Sequence, residues 1–155
     1  AANEDITRDG IIGLYVHGNE PGHHIPYLYN FAGQPWKTQQ RVRMICETMY
    51  ADAPDGLCGN DDCGQMSAWY IFSALGFYPL CPGSDAYEIG SPTVKEATVQ
   101  VGGGRTLKII TENQSPENVY VKEVWLNDRQ IDDLKLRHQQ LAAGGTLKFV
   151  MAGKR

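Results

Sequence analysis

Residues 59–69 read GNDDCGQMSAW, and this stretch places two adjacent carboxylates at the start of a helix. The apolar run over residues 66–75 contains no helix breaker, so it predicts one packed helix. Asp61 and Asp62 therefore lie at its N-terminal end, where free backbone N–H groups and the positive end of the helix dipole stabilise an ionised carboxylate. A carboxylate held rigidly in this way can act as a base.

A purely structural role also explains part of this stretch. Asp62 followed three positions later by Gln65 fits the capping box, which requires no catalysis. A single cap does not account for three consecutive polar side chains at residues 60–62. Gly59 and Gly64 on either side let the backbone turn sharply and leave room for a ligand to approach. From these residues alone, a helix cap and a catalytic acid both remain open.

The composition is that of an ordinary globular protein, with 155 residues, 42% hydrophobic content and a net charge of −4. This length allows one domain with a sizeable core. The mild acidity and the lack of a Lys/Arg cluster argue against nucleic acid or an anionic membrane surface as a partner. No apolar run approaches the length of a membrane span, and no signal peptide opens the chain.

The four cysteines, Cys46, Cys58, Cys63 and Cys81, form no C-x-x-C pair and match no common zinc spacing. We expect Cys46 and Cys63 to be free, buried thiols. A bridge between Cys58 and Cys63 is sterically conceivable and would lock the acidic loop.

Residues 17–24 read HGNEPGHH and form a loop rich in polar side chains and helix breakers. Asn19 and Glu20 offer an amide oxygen and a carboxylate, and Gly18 can turn a backbone carbonyl toward the same point. Such hard oxygen ligands suit Ca²⁺. A simple turn with a surface acid is the commoner explanation by composition. A calcium ion here would also need water, a distant protein ligand or substrate hydroxyls.

Aromatic side chains alternate with amides in residues 25–36, a combination that can bind a sugar through ring stacking and hydrogen bonds. For Tyr27 and Phe31 we expect a place in the core instead. Residues 34–36 start an amphipathic helix that runs through residues 37–50.

The sequence pattern changes after residue 80 from helical to strand-like. Apolar and polar residues partly alternate in several short runs, which are separated by clusters of Gly, Pro and Asn. These runs predict strands at residues 87–89, 97–101, 107–111, 119–125 and 147–151, with 134–139 as a further candidate. This half is predicted to be an antiparallel β-sheet or part of a sandwich, with a structural role.

Three blocks carry a resemblance: residues 17–21 (HGNEP), 29–36 (YNFAGQPW) and 59–79, which continues to SALGFYP. In this order and spacing they closely resemble the C-terminal part of glycoside hydrolase family 92, whose members are calcium-dependent, inverting, exo-acting α-mannosidases. The resemblance is firm over residues 13–92 and weaker beyond.

The resemblance implies an α+β fold in which residues 1–80 supply the terminal helices of an (α/α)₆-barrel catalytic domain and residues 81–155 an antiparallel β segment. Family members are several times longer, so we expect the remainder of a parent polypeptide as a partner and an extracytoplasmic location. Without that remainder, apolar helix faces are left open, and we expect the isolated chain to dimerise, exchange elements or aggregate.

The resemblance also implies roles for individual residues. Asp62 matches the family's general base. Asn60 stands where some members have a second acid; an amide can orient the catalytic water but cannot share its proton. The implied calcium ligands are Asn19, Glu20 and Gly18, and the implied contacts to a mannose-containing glycan are His24, Gln34 and Asp61. The family's general acid has no match in this chain, so we predict that the chain alone is inactive.

Two alternatives from other classes remain open. One is a non-catalytic, calcium-dependent carbohydrate-binding module that uses the Asn19–Glu20 loop and the aromatics, with the β half as scaffold. The other is a zinc protein that uses His17, His23 or His24 with Cys58 and Cys63, although adjacent histidines diverge and cannot easily share one ion.

Overall fold

The computed structural model describes residues 10–155. In the first half, short strands β1 and β2 precede two 3₁₀ helices and two α-helices, with bounds β1 Ile11–Ile12, β2 Tyr15–Val16, 3₁₀ helices Glu20–Gly22 and Ile25–Asn30, α1 Pro35–Thr48 and α2 Gln65–Leu75. The second half is mostly β, with bounds β3 Phe77–Tyr78, β4 Ala86–Ile89, β5 Glu96–Gly102, β6 Arg105–Glu112, β7 Tyr120–Leu126, β8 Arg129–Gln130, β9 Lys135–Arg137, α3 His138–Ala142 and β10 Gly145–Ala152.

Both predicted helices are confirmed. Helix α1 begins at Pro35, whose fixed φ suits the first helical position, and it ends two residues earlier than predicted, at Thr48. Helix α2 is bounded by Gly64 and Gly76, with φ of 97° and 102°. Glycine adopts these left-handed angles without steric cost, which explains why the helix begins and ends there.

The predicted strands are present, but the sheet is mixed rather than antiparallel throughout. Five strands pair in the order β5-β6-β10-β7-β8, and β10 runs parallel to β6 while its other edge pairs antiparallel with β7. The chain between β6 and β10 is long enough to carry it back to the same end of the sheet, as a parallel pair requires. A separate antiparallel sheet has the order β3-β4-β9. The end of the candidate strand at 134–139 instead starts α3, at His138.

Helix α2 packs between two cores. On one side Trp69 joins a cluster with Tyr27, Val42 and Ile45, and on the other side Leu75 packs on the cluster of the five-stranded sheet; Phe72 touches both. The two halves therefore share a continuous packed region, and the boundary between residues 80 and 81 stays a prediction.

The two aromatic residues expected in the core have different environments. Tyr27 is fully buried, as predicted, and its hydroxyl lies 2.9 Å from the Ser73 hydroxyl. Phe31 is 59% exposed, and the prediction of a core position was wrong: the Lys135 ammonium sits over its ring, 4.8 Å from the centroid. Within residues 10–155, no helix has the length and apolar character needed to cross a bilayer.

Candidate active site

The acidic stretch forms an unusual turn before α2. Asp62 and Cys63 have φ of 47° and 58°, and Gly64 follows at 97°, so three successive residues are left-handed. This conformation is costly for residues with a side chain, and it is found preferentially at binding and catalytic sites. The backbone of Asp61 stabilises the turn, because its carbonyl accepts N–H bonds from Gly64 and Met66, both at 3.1 Å.

Asp61, not Asp62, caps the helix. One carboxylate oxygen of Asp61 accepts the backbone N–H of Ser67 at 3.0 Å and the Ser67 hydroxyl at 2.8 Å. Both bonds lower the pKa of Asp61, and the bond from the Ser67 hydroxyl has the larger effect. The capping-box alternative for Asp62 and Gln65 is wrong, because Gly64 and not Asp62 is the N-cap of α2, and no capping box is formed there.

The Asp62 carboxyl instead meets Glu20. Glu20 opens the 3₁₀ helix Glu20–Gly22, and hydrogen bonding between the two side chains, followed by some desolvation and by the Glu20 and Asp61 charges, raises the pKa of Asp62. Both residues are exposed, so the pair faces solvent. Two loops separated by about forty positions in sequence thus bring two like-charged groups together.

Two of the three histidines in the loop are structural. Nδ1 and Nε2 of His17 each lie 2.7 Å from a tyrosine hydroxyl, that of Tyr15 and that of Tyr50. Burial, with a smaller contribution from His23, lowers the pKa of His17 to about 3. His23 uses Nε2 on the His17 carbonyl and Nδ1 on the Gln65 amide, both at 3.0 Å. With all four ring nitrogens hydrogen bonded, His17 and His23 have no lone pair left for zinc, and the zinc alternative is wrong for them.

All four cysteines are free thiols, which was expected for Cys46 and Cys63. Cys46 is buried on α1, whereas Cys63 is exposed, because the left-handed turn directs it outward and not into the core as predicted. Cys58 and Cys63 form no bridge.

The other predicted site residues differ in their exposure. Asn19, Asn60 and His24 are exposed, and Gln34 is half-buried just before α1. The Gly18 carbonyl packs against Gly59. In the described part of the chain, no side-chain hydrogen bond links His24 or Gln34 to the Glu20–Asp62 pair, and their roles stay predictions.

The oxygen donors that could hold a cation are few. Across residues 10–155 there is no cluster of three or more His, Cys, Asp or Glu side chains arranged for a metal ion. What the turn offers is the two carboxyls of Glu20 and Asp62 with the neighbouring Asn19 amide. This all-oxygen set is chemically suited to Ca²⁺, which takes six to eight such ligands and completes its shell with water or substrate.

Gln65 has contacts at this site that its sequence position does not reveal. Its amide donates to His23 and to the Tyr78 hydroxyl, at 3.0 and 3.1 Å. No local spacing signals these contacts, since His23 and Tyr78 lie 42 and 13 residues away.

The arrangement of these motifs is shared with a known family. The model of the glycosyl hydrolase family 92 catalytic domain matches residues 1–153. The chain belongs to glycosyl hydrolase family 92.

Solved members of family 92 have the same fold over this segment. A family GH92 alpha-mannosidase from Bacteroides thetaiotaomicron is 48% identical with a TM-score of 0.90, over 94% of this chain and 20% of that one. The structure of its complex with mannoimidazole is 46% identical with a TM-score of 0.91, over 97% of this chain and 20% of that one. A family GH92 inverting mannosidase from the same species is 40% identical with a TM-score of 0.83, over 92% and 19%.

A curated family relative is similar over the same extent. An uncharacterized secreted glycosidase from Arthroderma benhamiae is 29% identical over 153 residues, which is 97% of this chain and 20% of the relative. The chain thus spans about a fifth of the length of the proteins it matches.

Proposed function

We propose that this chain is part of an inverting exo-α-mannosidase that removes terminal α-linked mannose from glycans with the help of Ca²⁺. The solved relatives described above include an inverting mannosidase and a complex with mannoimidazole, a mannose-like ligand. The matching family model is that of a catalytic domain, which favours an enzyme over the carbohydrate-binding module.

The observation that carries the proposal is the meeting of Glu20 with Asp62. In the proposed mechanism Asp62 is the general base, and its carboxyl is not needed to cap α2, because Asp61 accepts the Ser67 bonds. The base takes a proton from water as that water attacks the anomeric carbon. Asn60, two residues earlier, would orient the same water through its amide.

The closeness of the two carboxyls also determines what Glu20 does not do. In an inverting glycosidase the acid and the base stand about 6.5–9.5 Å apart, because a water molecule must fit between base and sugar. Glu20 is a close acidic neighbour that raises the pKa of Asp62, so we assign it a role other than that of the general acid. We therefore propose that the general acid comes from the rest of a longer polypeptide. Glu4, Asp5 and Asp9, for which the sequence pattern indicates no such role, lie outside the described residues.

A cation explains why two acids would be held together. No Lys or Arg side chain of residues 10–155 forms an ion pair with Glu20 or Asp62. We assign Glu20 and Asn19 as calcium ligands, and Gly18 only if its carbonyl turns away from Gly59. When bound, Ca²⁺ supplies positive charge that can fix vicinal hydroxyls of mannose and the attacking water.

The remaining assignments concern the substrate and the location. His24, Gln34 and Asp61 are proposed to contact a mannose-containing glycan, with Asp61 limited to the oxygen that Ser67 leaves available. An extracytoplasmic location is proposed from the name of the secreted fungal relative.

The test uses a polypeptide that joins this chain to the rest of a family-length enzyme. With Ca²⁺ it should release mannose from an α-mannoside as the β-anomer, which proton NMR detects directly. Chelation should stop the reaction and added Ca²⁺ should restore it. Asp62→Asn should reduce kcat by about 10³-fold or more, while Asp55→Asn, at an exposed acid in the loop between α1 and α2, should not change it.

Two results would contradict the proposal: full activity in Asp62→Asn, or release of the α-anomer. Mannose release by the 155-residue chain on its own would contradict the separate expectation that the isolated chain is inactive.

A further inference from the structure

A chain of contacts connects the Glu20–Asp62 pair through two residues that have no assigned role. The Glu20 carbonyl accepts the backbone N–H of His23 at 3.0 Å. The ring Nδ1 of His23 lies 3.0 Å from the Gln65 amide nitrogen, and the Gln65 backbone N–H donates to the Asp62 carbonyl at 3.3 Å. The side chains of Glu20 and Asp62 lie near enough for Glu20 to raise the pKa of Asp62.

The direction of the His23–Gln65 bond follows from its neighbours. His23 Nε2 faces the carbonyl of His17, which can only accept, so Nε2 carries the hydrogen. The neutral ring then presents Nδ1 as an acceptor, and the Gln65 amide donates to it. Burial lowers the pKa of His23 and so favours this neutral form. The residue at position 65 must therefore carry a hydrogen-bond donor, because a group that cannot donate leaves Nδ1 of His23 without a partner.

Both residues are rigidly supported. His23 is 2% exposed, and its backbone carbonyl accepts the indole N–H of Trp69 at 3.0 Å. The second hydrogen of the Gln65 amide goes to the Tyr78 hydroxyl on β3. Side chains fixed at both ends transmit the position of one loop to the other, whereas exposed loop residues do not.

We propose that His23 and Gln65 are positioning residues whose side-chain hydrogen bond sets how closely Glu20 approaches Asp62. This inference rests on the proposed function, since the geometry it fixes is that of the base and of the cation's carboxylate ligand. Neither residue contacts the reacting atoms. Loss of the bond lets the 3₁₀ helix that carries Glu20 move relative to the turn that carries Asp62.

The experiment compares Gln65→Met with Tyr78→Phe in the family-length polypeptide. Gln65→Met keeps the length of the side chain and removes the bond to His23, whereas Tyr78→Phe removes only the other partner of Gln65. We expect Gln65→Met to lower kcat by about 10- to 100-fold and to raise the Ca²⁺ concentration for half-maximal activity by a similar factor. KM should change less than about 3-fold, and Tyr78→Phe should leave all three values near wild type.

A second Gln65 variant and the Asp62→Asn variant distinguish poor folding, failure of this inference and failure of the proposed function. Gln65→Asn keeps the amide but is one methylene too short to reach His23, so it should reproduce the loss of kcat even if Gln65→Met folds poorly; thermal unfolding checks each variant. Equal effects of Gln65→Met and Tyr78→Phe would overturn the inference. So would normal kcat in both Gln65 variants while Asp62→Asn is inactive, and that result leaves the proposed function intact. An active Asp62→Asn would reject the proposed base, and the inference with it.

Discussion

The backbone of Gly59 lies directly against the carbonyl group of Gly18, and this contact joins the loops that carry Asp62 and Glu20. A β-carbon on Gly18 would lie 2.6 Å from the Cys58 carbonyl oxygen, and one on Gly59 would collide with the Gly18 main chain. Main-chain atoms cannot rotate away as a side chain can. The close packing of the two loops at this point therefore requires two residues without side chains.

Replacing Gly59 with alanine should separate the loops. The added methyl group meets backbone, so one loop must shift, and we expect the free energy of unfolding to fall by about 1–3 kcal/mol. In the family-length enzyme the Ca²⁺ requirement should rise as well. Gly153→Ala is the control, because its β-carbon meets the Asn118 side chain at 3.1 Å and can displace it. Urea unfolding measures the first effect, and unchanged values for Gly59→Ala would contradict it.

Asp61→Ala should destabilise the protein at neutral pH. The variant loses both hydrogen bonds from Ser67, and loss of a helix cap in a chain of this length lowers the unfolding midpoint by about 2–4 °C. Because the folded state lowers the pKa of Asp61, the stabilisation is present above its ordinary value near 4 and is lost as the pH falls through the folded-state pKa.

The pH dependence supplies the check on this prediction. Calorimetric midpoints of wild type and Asp61→Ala should differ at pH 7 and converge in strong acid. Asp52→Ala, at an exposed acid in the loop between α1 and α2, should match wild type at both pH values. A gap between wild type and Asp61→Ala that persists in strong acid would show that the carboxylate is not the stabilising group.

Asp62→Asn should have the opposite effect on stability. The pKa of Asp62 is raised, so the folded state favours its protonated form, and its charge at neutral pH is unfavourable beside Glu20. A neutral amide removes this repulsion, and in chelator the variant should unfold at a higher temperature than wild type. Such a trade of stability for function is typical of active sites. A lower midpoint in chelator would mean that Asp62 stabilises the turn.

The parts of the fold that the sequence predicts correctly depend on local signals. Helix α2 could be located because an apolar run lies between glycines, and α1 because Pro35 precedes an amphipathic stretch. The strand positions follow from alternation in the same way. The parallel pairing of β10 with β6 could not be predicted, since alternation specifies which face is buried but not which neighbour a strand takes.

The site was predicted in composition but not in contacts. Asp62 and Glu20 stood out as polar residues beside glycines, and their resemblance to family motifs connected them. The left-handed φ angles at residues 62–64 determine which acid caps the helix. In the sequence, only the glycine at position 64 indicates such angles. The His23–Gln65 bond spans 42 residues and satisfies a buried ring, a requirement that appears only when the loops pack.

The four thiols should react with Ellman's reagent in three classes. Cys63 and Cys81 are exposed and should react fast, while desolvation raises the pKa of the half-buried Cys58 and slows it. Burial raises the pKa of Cys46 to about 12, so its thiolate is scarce and shielded, and it should react only in denaturant. Cys46→Ser identifies the slow class, and fast reaction of three or more thiols in the native protein would contradict this order.

Arg43 ties α1 to the β half, and its replacement tests whether the two halves fold as one unit. Its guanidinium is 2% exposed and donates to the Ser91 hydroxyl at 3.1 Å and to the carbonyls of Pro92 and Ser115 at 2.6 and 3.3 Å. A lysine ammonium cannot reach three acceptors in this fixed fork. Arg43→Lys should therefore lower the free energy of unfolding by about 2–3 kcal/mol.

The control for Arg43→Lys is the same change at Arg41, which is exposed on the same helix and should leave stability within about 0.5 kcal/mol. Urea unfolding followed by tryptophan fluorescence and by far-ultraviolet circular dichroism should show one coincident transition for all three proteins, because α2 packs on both cores. Separate transitions for the two probes in Arg43→Lys would mean that this cation alone couples two independent domains. An unchanged urea midpoint in Arg43→Lys would mean that the buried guanidinium of Arg43 contributes nothing to the free energy of unfolding.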